Sequence, residues 1–261
     1  MTSGMVRPKR KLGQHFLADE NILRVIGRLA DLRADDVVLE IGPGLGILTG
    51  YLAQRVAHVH TVEIDRSLAP HLAAGVAARP NVELLLGDAL ALDLASLTPS
   101  PGKLVANLPY SVATPIVVAS IEALPTVALW CVMVQREVAD RFFAEPGTKA
   151  YGAVSVILRL TSERTGFHPV PRTVFRPRPN VDSALVAFRR RPAPSGYPAV
   201  KRVVQGGFAH RRKTLANSLE LAGVAPRDRV AAALDDLGLG SSVRAEALQP
   251  EAFVRLAELL A

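Results

Sequence analysis

Asn107-Leu108-Pro109-Tyr110 places two hydrogen-bond acceptors for an amine beside a flat ring for a base. An exocyclic adenine amine is a poor nucleophile because its lone pair is delocalised into the ring. The Asn107 side-chain oxygen and the Leu108 backbone carbonyl can accept its two hydrogens and aim the lone pair at an electrophile. The same two oxygens stabilise positive charge as it develops on nitrogen. Pro109 fixes the turn, and Tyr110 offers a face on which an extruded base can stack. No general base is required, since the proton becomes acidic only once the nitrogen is alkylated. A turn with a structural Asn and a core Tyr is the plainer reading of the same four residues.

A second cluster can hold the electrophile. Gly42, Gly44 and Gly46 follow an apolar segment and precede a helical one, a setting in which backbone N–H groups approach a ligand closely. The spacing is GxGxG; a dinucleotide fingerprint would need glycine at 47, which is Ile. Glu63 stands where a carboxylate can accept both hydroxyls of a ribose, and Asp88 could bind the amino group of an adenine. An adenosine cradle without a pyrophosphate grip suggests S-adenosylmethionine rather than NAD. His58 and His60 share one face of an extended segment, but no third ligand is apparent, so no metal is expected. The single cysteine, Cys131, excludes an internal disulfide and any Cys-based zinc site.

These residues need a scaffold that presents them at strand ends. Residues 37–41, 58–64, 82–86, 104–106 and 127–134 read as strands. They alternate with helices over 19–32, 48–55, 67–77, 114–123 and 136–144, which argues for a parallel sheet covered on both faces. Segments 153–162 and 183–189 read as two further strands, with a Pro- and Arg-rich loop over 169–179 between them. From 199 onward the text is helical, over 199–209, 213–221, 226–236 and 250–260. The expectation is an α/β catalytic domain over 1–190 and a small all-helical domain over 191–261. Trp130 and the apolar strand around it are core.

Composition narrows the class of partner. The chain has 261 residues, 49% of them hydrophobic and 21% charged, as in ordinary globular proteins. Its longest purely apolar run, 127–134, is far short of the ~20 residues that span a bilayer. The basic stretch Arg7, Lys9, Arg10 and Lys11 is not followed by an apolar signal region, so a cytoplasmic location is expected. The net charge is +7, of which residues 1–175 carry +1 and residues 176–261 carry +6. That asymmetry points to an anionic partner, nucleic acid first, met mainly by the C-terminal third. Arg211, Arg212 and Lys213 are candidate phosphate contacts there. With 25 Arg against 6 Lys, a solvated Arg-rich surface is the alternative.

The ordered motifs together resemble the KsgA family of small-subunit ribosomal RNA adenine dimethyltransferases. They include Gly13 to Leu17, Glu40 to Gly46, Glu63-Ile64-Asp65, Asp88-Ala89 and Asn107 to Tyr110. Gln135 to Val138, Ala150-Tyr151-Gly152, Phe175 to Ser183 and Arg211 to Thr214 follow. The resemblance implies a Rossmann-like methyltransferase sheet, mostly parallel with one antiparallel strand, and a helical C-terminal domain. It implies S-adenosylmethionine contacts at His15, Leu17, Gly42, Gly44, Glu63, Asp88 and Asn107. It implies two methyl transfers to each of two adjacent adenines near the 3′ end of 16S ribosomal RNA, with Phe175 and Tyr110 sandwiching the base. Lys9, Arg10 and Lys11 would grip RNA together with the helical domain. His15 stands where the family usually has Asn, and Arg176 and Arg178 follow Phe175 where more proline is usual; both are candidate RNA contacts. The sister family acting on large-subunit RNA, and an assembly checkpoint factor with secondary methylation, remain alternatives. A monomer is expected for a protein that docks on a large particle.

Overall fold

The computed structural model describes residues 16–17, 19–75 and 78–261. Lys9, Arg10, Lys11 and His15 lie outside the described residues. The chain forms two compact units, one of residues up to 139 plus 164–190, the other of 140–163 plus 191–261.

The first unit opens with β1 (Phe16–Leu17) and α1 (Glu20–Leu29). Asp19 caps α1, its Oδ1 accepting from Asn21 N at 2.7 Å, and Ile22, Leu23 and Ile26 form the helix's buried stripe. Then follow β2 (Val37–Ile41), α2 (Ile47–Ala53), β3 (His58–Glu63), α3 (Ala69–Gly75), β4 (Val82–Leu86), β5 (Lys103–Asn107), α4 (Ala113–Ala123) and β6 (Leu129–Gln135). After α5 (Arg136–Phe142) and α6 (Ala153–Thr161) come β7 (Ser162–Val170), β8 (Phe175–Arg176) and β9 (Ser183–Arg190). The main sheet has the order β4-β3-β2-β5-β6-β9-β7, while β1 and β8 pair separately.

β2, β3, β4, β5 and β6 run parallel to their neighbours, and β9 pairs antiparallel with β6. The expected Rossmann-like sheet with an antiparallel strand is present. β2 lies between β3 and β5, so the chain leaves in opposite directions on its two sides. In open α/β sheets such a reversal leaves a crevice outside the carboxyl ends of the strands. Trp130 is fully buried, stacks on Phe188 at 5.2 Å and donates to Ser120 Oγ. Cys131 is buried beside it, and burial pushes its thiol up to about 12.

Three expectations fail. Residues 153–162 form a helix, not a strand. The segment is Val- and Ile-rich, and α6 buries Val154, Ser155, Val156, Ile157, Leu158 and Thr161. Burial all round erases the period that distinguishes helix from strand. Its start is set by Ser155, whose Oγ accepts from Gly152 N at 3.1 Å. Conversely β7 contains Gly166 and Pro169, which disguise it; it sits at the sheet edge, where proline is tolerated. A Cβ at Gly166 would stand 2.5 Å from Leu29 Cδ2, so the leucine side chain of α1 packs into the space the glycine leaves. The loop expected over 169–179 is instead the end of β7, a 3₁₀ turn at Arg172–Val174 and β8. The helix expected over 67–77 divides into a 3₁₀ turn, Arg66–Leu68, and α3.

The second unit contains α6 and then α7 (Tyr197–Ala209), α8 (Leu215–Leu221), α9 (Arg227–Asp236) and α10 (Pro250–Leu259). The sequence division at 190 keeps 140–163 with the sheet, whereas packing groups that stretch with the C-terminal helices. Tyr151 anchors it, donating to Leu248 O at 2.8 Å, and Phe208 bridges Tyr151 to Phe253. Among the described residues no helix is long and apolar enough to cross a membrane.

Candidate active site

β2 carries Glu40 into the sheet and ends in the turn Gly42-Pro43-Gly44-Leu45-Gly46. All three glycines have positive φ, at 76°, 58° and 79°, which L side chains rarely adopt. Space adds a second requirement at Gly44, where a Cβ would lie 2.8 Å from Phe16 Cδ1. One at Gly42 would rest in ordinary contact, 3.4 Å from the Pro109 ring. The glycine turn is therefore in contact with β1 on one side and with the Asn107–Tyr110 loop on the other.

That loop begins where β5 ends. Asn107 pairs in register with Met133 of β6, and Leu108 N donates to Met133 O at 3.0 Å. Leu108 is buried, Pro109 and Tyr110 are half-buried, and α4 starts three residues later. Tyr110 does not hang free: its hydroxyl lies 2.6 Å from Ser183 Oγ, on the buried first residue of β9. Burial raises the Tyr110 phenol above its ordinary value.

One cleft collects these parts. Phe16, Leu17, Glu40, Gly42 to Leu45, Glu63 and Asn107 to Tyr110 all line it, with a cavity volume of about 150 Å³. Of the expected cofactor residues, Leu17, Gly42, Gly44, Glu63 and Asn107 are thus together. Glu63, 4% exposed, accepts from Asp65 N at 2.8 Å and from Gly44 N at 3.4 Å. Burial raises its carboxyl above the ordinary range. Asp88 follows β4, is exposed, lies outside the lining and accepts from Leu90 N at 2.9 Å.

Glu40 is a site residue to which the sequence motif gave no role. Its Oε2 accepts from Thr49 at 2.6 Å and from Thr61 at 3.2 Å, while Oε1 is buried with no partner among the described residues. Burial lifts its carboxyl to about 7, and the neighbouring Glu63 adds to the lift. The only sequence signal was a charge inside an apolar strand. An unpaired, buried anionic oxygen at a cleft wall suits a cation. S-adenosylmethionine carries two, an ammonium and a sulfonium, beside a ribose that Glu63 can accept from. The residues fit that group.

Phe175 is placed otherwise than a base sandwich would need. It pairs with Leu17 across β1 and β8, is 2% exposed and packs within the core cluster that includes Ile22, Val170 and Val174. Arg176 and Arg178 are exposed. In the helical unit Arg212 and Lys213 are exposed, while Arg211 donates to Tyr151 O at 3.2 Å and approaches Glu246 at 3.5 Å.

Comparison with known proteins follows the same lines. Residues 5–261 match the family model described as Ribosomal RNA adenine dimethylase. The Ribosomal RNA small subunit methyltransferase A of Rubrobacter xylanophilus is 48% identical over 252 residues, covering 96% of this chain and 94% of that protein. Its counterpart in Lactiplantibacillus plantarum is 43% identical over 265 residues, covering 97% and 90%. Among solved structures, the 23S rRNA methyltransferase ErmE is similar with a TM-score of 0.69 and 33% identity, covering 94% of this chain and 99% of that one. A dimethyladenosine transferase from Plasmodium falciparum, 24% identical, shares the fold with a TM-score of 0.76 over 93% and 96% of the two chains. This chain belongs to the ribosomal RNA adenine dimethylase family.

Proposed function

We propose that this chain transfers methyl groups from S-adenosylmethionine to the exocyclic amines of two adjacent adenines near the 3′ end of 16S ribosomal RNA. The products are dimethyladenosines made during small-subunit assembly. One observation carries the reading: the amine-orienting loop Asn107 to Tyr110 and the adenosine cradle of Gly42, Gly44 and Glu63 line the same cleft. The relatives' naming as small subunit methyltransferases supports the choice of RNA.

When bound, the cofactor supplies a methyl group on a positively charged sulfur, which leaves as a thioether as the new carbon–nitrogen bond forms. The chain's own part is positioning and electrostatics. Glu40 and Glu63 would hold the cation and the ribose, and Leu17, His15 and Asp88 would complete the cofactor set. Asn107 and the Leu108 carbonyl accept from the target amine and aim its lone pair. Tyr110 stacks on the base, its ring held by Ser183. Phe175 contributes from beneath, fixing β1 through its pairing with Leu17.

Arg176, Arg178, Arg212 and Lys213, with Lys9, Arg10 and Lys11, meet RNA phosphates. Arg211, tied to Tyr151 and Glu246, shapes that surface rather than leading it. The protein acts as a monomer in the cytoplasm.

The similarity to ErmE gives the sister activity on large-subunit RNA as the second reading. Methyl-labelled S-adenosylmethionine, offered with small subunits and with large-subunit RNA that both lack dimethyladenosine, separates the two. Label in the small subunit is the expected result. Label in large-subunit RNA alone would assign the sister activity, and label in neither would overturn both.

A further inference from the structure

We propose that His58, His60 and Glu83 form a zinc-class divalent metal site that clamps β3 to β4 at the end of the sheet remote from the cleft. His58 and His60 are two apart on β3, so their side chains share a face, and the parallel register sets Glu83 of β4 opposite His60. One ligand atom from each of the three residues lies within 4.8 Å of the others. The sequence shows only the two histidines; the third ligand arrives 23 residues later through strand pairing.

The hydrogen-bond geometry brings three donor atoms to one place. His60 Nε2 is 2.7 Å from Pro99 O, a carbonyl that can only accept, so this nitrogen donates and Nδ1 is the one turned to the cluster. It stands 2.8 Å from Glu83 Oε2. His58 Nε2, buried and without a hydrogen-bond partner among the described residues, stands 3.9 Å from the same oxygen. A metal ion satisfies all three atoms at once.

Two imidazole nitrogens and one carboxylate oxygen, with a fourth position left for water, are a zinc donor set. A His ring whose other nitrogen donates to a backbone carbonyl is the usual outer support of such a ligand. Tetrahedral bonds of about 2.0–2.1 Å put ligand atoms roughly 3.3 Å apart, between the 2.8 and 3.9 Å found here. The two imidazole nitrogens lie within 4.8 Å of each other, so binding also draws the His58 and His60 rings together, and half-exposed Glu83 adjusts to them. Glu63 is three residues beyond His60 and five beyond His58 on β3, about 10–17 Å along the strand, so the ion would brace the sheet and take no part in methyl transfer.

The test uses the untagged full chain, stripped with a chelator and titrated with zinc in competition with a chromophoric chelator. One zinc should bind per chain at micromolar concentration or below and raise the melting temperature, with methyl transfer unchanged. His58→Ala and Glu83→Gln should each weaken binding about tenfold or more and abolish the thermal shift. If zinc fails to bind at micromolar concentration, the proposal falls. Binding that is the same in both variants places zinc elsewhere and overturns it equally.

Discussion

The two ends of one sheet are built to opposite rules. At the amino end of β5, beside the end of β9, charges are matched. Lys103, at the start of β5, donates to Asp36 Oδ2 at 2.7 Å and to Asp31 O. Arg190, at the end of antiparallel β9 and so at the same edge, donates to the carbonyls of Ile121, Leu124 and Val127. At the carboxyl ends of β2 and β3, demands are left open. Glu40 keeps an unpaired oxygen, Glu63 is held by backbone N–H groups alone, and three glycines take positive φ. Satisfied polar groups contribute stability, whereas an unmet one costs free energy until a ligand meets it. At the start of β5 and the end of β9 the charges are met within the protein, whereas at the carboxyl ends of β2 and β3 they are left for the cofactor.

Substitutions can break this contrast, beginning with the largest expected effect. Asn107→Ala should lower kcat about 100- to 1,000-fold by removing one acceptor of the amine, with the melting temperature nearly unchanged. Lys103→Met should do the reverse. It leaves Asp36 with the Arg33 N–H and no cation among the described residues and should cost about 3 kcal/mol of unfolding free energy, read by denaturant titration, with cofactor affinity intact. Gly44→Ala forces a Cβ to within 2.8 Å of Phe16 and should weaken S-adenosylmethionine about tenfold, ~1.4 kcal/mol, in calorimetry.

Smaller effects sharpen the contrast. Tyr110→Phe removes the bond to Ser183 and should slow transfer by about fivefold, ~1 kcal/mol; Ser183→Ala should match it. For Glu40 the sign is fixed by its carboxyl standing near 7 instead of the ordinary 4.5. Between those values the folded ligand-free protein holds a proton that the unfolded chain has lost, so stability falls as pH rises through that window. Cofactor affinity should move the opposite way, rising a few-fold from pH 6 to 8 as Glu40 ionises. Glu40→Gln should flatten both profiles.

The chemistry end was the more legible in the sequence. Sharp turns need particular residues, so Gly42, Gly44, Gly46 and Asn107 to Tyr110 announce strand ends by composition alone. Elements buried on all sides are silent. α6 reads as a strand because its apolar residues face every direction, and β7 hides behind Gly166 and Pro169, which its edge position allows. Partners brought by register are also invisible in one dimension. Ser183 reaches Tyr110 across 73 residues, and Glu83 meets His60 only through the pairing of β3 with β4. Phe175 was legible as a motif residue but not as a buried one, because its environment depends on β1.

A proline at 108 is not a simple probe of how the amine turns between two transfers. The Leu108 N–H is engaged by Met133 O, so Leu108→Pro would also remove a strand-end hydrogen bond. It would report on fold and chemistry together.

The most direct measurement is mass-spectrometric mapping of small-subunit RNA after incubation with S-adenosylmethionine and either the unaltered protein or Asn107→Ala. The account predicts two adjacent dimethyladenosines near the 3′ end with the unaltered protein and almost none with Asn107→Ala at the same cofactor saturation. Equal methylation by both proteins, or modification of a different nucleotide, would contradict the assignment of the Asn107 cleft as the place where adenine is methylated.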